Sequence, residues 1–532
     1  MKNIEKYFLE ELNKLDELSK EFVKKHPSLA NMVSSSSTDP DVERLLEGVA
    51  FLNAFIQREI DDGFVQIAKY ILDFALPNIL KPFPASTILQ IKPNQYLQEK
   101  MRLKKGTYFL ANVENEEFKF QNIWQMEIYP LEYEIKTAKN KLIFKINSSE
   151  TIKKIPFFLN LSIDKKVVLF RYFYDAKKIY IKTDSYTKEI NLNFLGLEKN
   201  VYEFNKTYNP FILLEEYFNF IDKFFLFEIE INENECEVVF EFTKDLPFDI
   251  TKNDILFYCT PILNVFEYDL DPIELDYKKE CIILEDYTKY KIYDVKDIIG
   301  HRSNTKVIYH KFNGVQEFEH TYEIYEKMVL DEEKKCLLIH FNSTEVEKEI
   351  LSVKILATNS NTEILKKDYI KEASDNTPEL ISFSNITSVT PEVPKVKKEN
   401  IWDFISYLNI SLTRIKTAKD FQKILKLFIN QNSKDKNKIY KNIKKVESIE
   451  KFDVKLVNKL YKGQLIQGME VNLEINGEYF INIDEVFLFG VVIEYFLASY
   501  VHINNFIVLK IKEKMSGNEL VCKEITGNKK LI

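Results

Sequence analysis

The chain has 532 residues, enough for about three or four domains at roughly 100–200 residues each. Hydrophobic residues make up 45%, charged residues 29%, and the net charge is −8, which suits a folded soluble chain and lacks the basic excess of a nucleic-acid binder. Five scattered cysteines, none at metal-ligand spacing, argue against a disulfide scaffold or a zinc site and fit a reducing compartment.

The first 25 residues are amphipathic and charged, unlike the apolar core of a signal peptide. Ile4, Phe8, Leu12, Leu15, Leu18 and Phe22 recur every three or four residues, which predicts a helix with one apolar face. His26-Pro27 ends it, because the residue before proline avoids helical geometry. After a polar run, Asp39 and Pro40 supply an N-cap and a first helical position for a second helix. Val42, Leu45, Val49, Leu52 and Ile56 form its stripe, and Leu46, Phe51 and Phe55 widen it, so the helix needs more than one neighbour. Asp61-Asp62-Gly63 is an expected kink or break. Pro77, Pro82 and Pro84 stop the helical pattern that follows.

Between about residues 86 and 360 the runs Thr87–Ile91, Lys141–Ile146, Val167–Tyr172, Lys178–Ile181, Phe225–Ile231, Glu237–Phe242 and Ile282–Leu284 predict strands. They suggest two β-rich modules of sandwich or barrel type, divided near residue 200. A linker is expected over 374–399, where Pro391 and Pro394 oppose regular structure. Helical patterns return at 400–413 and 418–430. Strand-like runs at 467–474 and 504–512 then flank an apolar helix at 484–501. This helix is too short and too charged, with Glu494, to cross a bilayer. The expected architecture is α+β: an N-terminal helical segment (1–80), β-rich domains (81–200 and 201–373), the linker (374–399) and a C-terminal α+β domain (400–532).

Chemistry is sparse. There is no glycine-rich phosphate loop, no G-x-S-x-G and no helical zinc motif. Ser162–Lys165 matches S-x-x-K by letters alone. Lys434–Lys445 is the most basic stretch, and it reads as a solvated helix face more readily than a phosphate track. The adjacent carboxylates Glu215 and Glu216 would suit a buried polar network or turn, although paired carboxylates also leave room for a carbohydrate-acting enzyme. No cofactor or metal is expected.

Several ordered segments resemble one family, TssF (also called ImpG or VasA), the baseplate wedge subunit of type VI secretion systems. Tyr7–Pro27 is similar to its opening helix. Asp39–Asp61 (DPDVERLLEGVAFLNAFIQREID) is similar to its D-P-x-V-E-R-L-L-E segment. Leu213–Phe227 (LLEEYFNFIDKFFLF) resembles its L-L-x-E-Y-F…F-x-F signature, and Cys259–Phe266 (CTPILNVF) resembles its C-T-P-x-x-N-x-F element. Leu488–Phe506 (LFGVVIEYFLASYVHINNF) resembles its ending. Ile221-Asp222 replaces a proline common after the E-Y-F core.

The resemblance implies a non-enzymatic, cytoplasmic scaffold recruited to an inner-membrane-anchored complex. It implies a wedge fold similar to that of contractile-tail baseplates. The implied partners are TssG, TssK, TssE, the VgrG spike and the sheath base, with more than one copy per wedge. Phe8, Leu12, Glu43, Arg44, Leu46, Phe51, Phe55 and Arg58 are then candidate partner contacts, and Phe51 and Phe55 serve equally well as packing within their own domain. Glu215, Glu216, Tyr217, Phe218, Cys259, Thr260, Pro261, Asn264, Phe489, Gly490, Asn504 and Phe506 carry the motifs and are expected to be structural. A wedge of another contractile injection system or phage-like tail shares this physics with different partners.

Overall fold

The computed structural model describes residues 2–26, 40–75, 79–201, 209–275, 281–302, 305–312, 320–329, 332–341, 349–394, 400–408, 412–429, 434–461 and 464–527. These fall into two compact units. The first comprises Met1–Ala75 with Met328–Glu333 and Lys397–Ile405, and the second holds the rest.

Two helices dominate the first unit, α1 (Lys2–Lys25) and α2 (Pro40–Ala75). Lys24 and Lys25 in the last turn of α1 complement its dipole. The helices pack together through small and aromatic side chains. Ala50 and Ala54 are fully buried, and Phe8 meets Phe51 edge-on at 6.3 Å between centroids. The expected break at Asp61-Asp62-Gly63 does not occur, and α2 runs unbroken for 36 residues. Asp61 is occupied by the helix pair: Tyr7 Oη donates to its Oδ2 at 2.9 Å and Gln57 Nε2 to its Oδ1 at 3.1 Å. Its side chain therefore does not compete with the backbone, and one glycine costs only about 1 kcal/mol.

The second unit is built from several sheets, and the first two draw their strands from distant parts of the chain. The first sheet has six strands, in the order Glu372–Ala373, Tyr108–Val113, Glu116–Asn122, Cys259–Leu263, Ser86–Pro93, Ile381–Asn385. In it, Ser86 pairs with Leu263 and Leu89 with both Thr260 and Asn385. A seven-stranded sheet centres on Lys141–Leu159 and Leu226–Glu241, and an eight-stranded one is built around Lys291–His301 and Glu349–Thr358. The expected division near residue 200 is therefore crossed by both of the first two sheets. The expected linker at 374–399 contributes Ile381–Asn385 to the first sheet, with further bridges from Thr390 to Ser86 and from Val393 to Phe83. Pro391 and Pro394 are spared because the donors there are Thr390 and Val393. Residues 395–399 lie outside the described residues.

Val167–Tyr172, expected as a strand, lies inside a helix, α3 (Ile163–Tyr174). Val167, Phe170, Phe173 and Tyr174 are buried at three- or four-residue spacing, a helical face that the β-prone composition conceals. Phe173 packs on Phe227 and Phe240 of the seven-stranded sheet, at 5.2 Å to each. Two short helices follow, α4 (Leu195–Glu198) and α5 (Pro210–Asn219).

Beyond the sheets come α6 (Ile401–Leu408), α7 (Ala418–Leu427) and α8 (Lys436–Glu447). A long hairpin, Ile449–Tyr461 with Gln464–Ile475, then leads to α9 (Ile483–Ala498) and the strand Phe506–Glu513. That last strand pairs parallel to Gln464–Ile475, so α9 is the crossover of a β-α-β unit. Asn482 caps α9 by accepting from the backbone N–H groups of Asp484 and Glu485. Thirteen of its residues are buried, which explains its apolar character on every side. The N-terminal turn of α9 packs on α3, where Arg171 meets Asp484 at 2.8 Å and Tyr174 meets Phe487. Among the described residues, no helix is long and apolar enough to cross a membrane.

Candidate assembly surface and the motif residues

The two groups of candidate residues lie in different environments. In the helical pair, Phe8, Leu12, Leu46, Phe55 and Arg58 are half-buried, whereas Arg44 and Phe51 are exposed. Phe51 stacks edge-on against Phe55 at 4.9 Å, and the Arg58 guanidinium lies over the Phe55 ring at 5.1 Å. These aromatics bridge the joint between α1 and α2 and its rim. The side chain of Glu43 lies outside the described residues, as does Asp39.

The exposed apolar surface lies mostly elsewhere on α2. Leu45, Val49, Leu52, Ile56, Ile60, Phe64, Ile67 and Ile71 recur every three or four residues along the helix, and all are exposed. Leu52 is 63% and Phe64 57% exposed. At about 1.5 Å per residue the stripe runs for roughly 40 Å. Its first half follows the apolar pattern legible in the sequence. Its second half, from Ile60 onward, was masked by the expected break at Asp61-Asp62-Gly63, although the spacing continues straight through. A monomer rarely leaves so long an apolar row in water, and such rows mark contact sites.

In the second unit the motif residues are internal, apart from Asn504 and part of Glu215. Asn209 caps α5 by accepting from Phe211 N–H, with Pro210 in the first helical position. On this helix, Glu216 is fully buried and pairs with the equally buried Lys223. Its carboxylate also accepts from Asn200 Nδ2 and from the backbone N–H of Val201. Burial raises the Glu216 carboxyl above the usual range, and Lys223 and these donors offset that only in part. The neighbouring Glu215 carboxyl is enclosed by protein although part of its side chain reaches solvent, and burial followed by the charge of Glu216 pushes it up to about 8. Glu216 is thus held by a cation and sealed from solvent, so the pair offers no two-carboxylate site to a sugar.

Tyr217 packs on Phe489 of α9 at 5.5 Å, bringing two separate sequence motifs together. Phe218 is buried, and its carbonyl accepts from Asn442 Nδ2 of α8 at 3.1 Å. Lys438 Nζ donates to Asn219 O at 2.6 Å and Lys445 Nζ to Glu485 Oε1 at 2.5 Å. The basic stretch Lys434–Lys445 is therefore partly an internal joint. Gly490 lets α9 lie directly on the sheet, because a Cβ there would come within 2.0 Å of Ile511 Cδ1.

Glu494 lies on the same helix. Its Oε1 accepts from Leu509 N–H at 2.8 Å, while its Oε2 is buried with no hydrogen-bond partner among the described residues. Burial pushes this carboxyl up to about 9.

The C-T-P-x-x-N element joins the first sheet to the turn after Glu349–Thr358. Cys259 is buried, and burial holds its thiol well above the usual range. Thr260 Oγ1 donates to Asn122 Oδ1 at 2.9 Å, and Pro261 lies in register with Ile88. Asn264 Nδ2 donates to Lys119 O at 2.8 Å and to Asn359 Oδ1 at 2.9 Å. Asn504 is exposed in the turn before Phe506, whose ring lies where a Cβ on Gly468 would stand.

The family described as "Type VI secretion system, TssF" matches residues 1–529. The type VI secretion system component TssF1 of Pseudomonas aeruginosa is 21% identical over 594 aligned positions, covering 94% of this chain and 95% of its own. A chain of the type VI TssK-TssF-TssG baseplate subcomplex, seen by cryo-electron microscopy, superposes with a TM-score of 0.74 at 18% identity, over 92% of this chain and 99% of its own. A chain of the type VI baseplate complex superposes with a TM-score of 0.59 at 17% identity, over 99% of this chain and all of its own. These superpositions show a shared fold.

Proposed function

We propose that this chain, which belongs to the TssF family of type VI secretion system proteins, is a non-enzymatic subunit of that system's baseplate. It joins TssG- and TssK-type subunits into wedges. These in turn meet TssE, surround the VgrG spike and form the platform for tube and sheath. Its place is the cytoplasm, against the inner-membrane-anchored complex.

The observation that carries this reading is the apolar stripe from Leu45 to Ile71 on α2. A helix about 50 Å long, covered on one side by α1 and bare on another, is built to enter a bundle with helices of other chains. Burying such a row removes apolar surface worth about 25 cal/mol per Å², and obligate interfaces are richer in such surface than ordinary ones. The motif residues of the second unit support the same reading, since they fasten elements to one another and hold no reactive group toward solvent.

The test is co-expression with TssG- and TssK-type subunits. The unaltered chain is expected to co-purify in a stable complex. Leu52→Asp with Phe64→Asp should weaken that complex by tenfold or more, the loss of at least one interfacial hot spot of about 2 kcal/mol. The melting temperature of the isolated chain should not fall, because both side chains already face water. A chain that stays monomeric beside both subunits overturns the reading.

A further inference from the structure

The hairpin of the C-terminal sheet outruns its own cover. Its strands pair residue for residue to the tip, with Leu460 opposite Leu465 and Tyr461 opposite Gln464. The third strand, Phe506–Glu513, reaches only Gly468–Ile475 of the hairpin. Past that point the hairpin continues as a two-stranded ribbon, and among the described residues no strand adds to the outer edge of Ile449–Tyr461.

The two faces differ in kind. Lys451, Asp453, Lys455 and Lys459 line one face, and Lys451 and Lys459 pair with Glu474 and Glu524. The other face carries Phe452, Val454, Leu456 and Leu460, opposite Leu473, Val471, Met469 and Leu465, and one polar pair, Asn458 with Gln467, sits between the last two apolar rungs. At its base this apolar face is core. Phe452 stacks on Phe421 of α7 at 4.4 Å, and Val471 and Leu473 are buried in register with Leu509 and Ile511, the residues beneath α9. Toward the tip the same face opens: Leu456 is 59%, Leu465 70% and Leu460 72% exposed.

We infer that this uncovered end is a docking surface for an amphipathic helix of another baseplate subunit. Two features select a helix. The patch continues the face on which α7 and α9 already lie, so a third helix beside them extends an existing layer with the same packing. The lysines spaced along the edge strand oppose addition of another strand, the usual protection of an exposed edge. A bare two-stranded ribbon is marginal in water, so its tip gains order when the helix seats.

This inference rests on the baseplate reading, and its test separates the two. The full chain is assembled with TssG- and TssK-type subunits, and backbone exchange of residues 454–469 is compared with the chain alone. A photo-reactive residue at position 460 maps the neighbour. Slowing of exchange by tenfold or more, with crosslinks three or four residues apart on another subunit, is the expected result. Leu456→Asp with Leu465→Asp should abolish both effects and leave the melting temperature of the free chain unchanged. If the complex forms while exchange at the tip is unaltered, the inference fails and the baseplate reading stands. Crosslinks to a second copy of the hairpin, or at every other residue of an extended segment, overturn the helix. If no complex forms, the baseplate reading falls and takes this inference with it.

Discussion

At the level of single residues, the motif that looked most like chemistry is a joint. Glu216 and Lys223 are both fully buried, and each is tolerable only because the other is there. Removing one partner alone, Glu216→Ala or Lys223→Met, should destabilise the second unit by about 3–5 kcal/mol, whereas Glu216→Leu with Lys223→Met should recover much of that loss. Urea unfolding followed by tryptophan fluorescence measures all three. Glu494 makes a prediction of opposite sign to most carboxylates. Its folded value of about 9 lies above the unfolded one, so the fold favours the neutral acid. The stabilisation is therefore complete in acid, below the unfolded value, and drains away as pH rises toward 9. Within that window each pH unit costs up to about 1.4 kcal/mol. Glu494→Gln keeps an acceptor for Leu509 N–H and carries no charge, so its melting temperature should gain on the parent steadily between pH 5 and 9. Parallel curves would show that Glu494 is ionised in the fold. Sequence suggested that Glu215 and Glu216 belong in a buried network. It gave no sign that Lys223 closes it, because the partner is seven residues away across a helix end.

Among secondary-structure elements, what was legible depended on whether composition and spacing agree. In α1, and in α2 as far as Ile60, they do. In Val167–Tyr172 they conflict: valine, leucine and aromatics suggest a strand, while the three- and four-residue spacing of Val167, Phe170 and Phe173 builds a helix face, and the spacing wins because the aromatic core beneath fits it. Gly490 shows the same dependence on context. An isolated glycine in a helix looks like a weakness, yet here it sets the distance between α9 and the strand Phe506–Glu513. Gly490→Val should overpack that contact and destabilise by about 1–3 kcal/mol, despite removing a poor helix former. Thermal unfolding checks this, and an unchanged or raised melting temperature would mean that Ile511 turns aside freely.

In the first two sheets of the second unit, the strands are local in sequence and many of their partners are not. Thr87–Ile91 is readable as a strand, but nothing in it announces that Cys259–Leu263 and Ile381–Asn385 flank it. The division expected near residue 200 fails for that reason, as does the linker. Fragment 81–200 should therefore not fold alone, because its strands lack Leu226–Glu241 and Cys259–Leu263, whereas the eight-stranded sheet closes within 201–373. Expressed alone, 81–200 should lack the near-ultraviolet dichroism of packed aromatics, and mixing it with 201–373 should restore it at least in part. A native-like spectrum from 81–200 alone would contradict the interleaved sheets.

The same interleaving governs how the molecule is made. Thr87, Ile88, Leu89, Gln90 and Ile91 are all buried in the finished sheet, so a nascent chain carries a row of side chains with nothing yet to meet. At roughly 5–20 residues per second, the first flanking strand leaves the ribosome about 10–30 s later and the second about 6–25 s after that. For that interval a sticky, unpaired strand hangs from every polysome translating this message. The protein's dependence on a chaperone that holds nascent chains, and its yield at high expression, should follow from where strand Ser86–Pro93 sits between its two late neighbours.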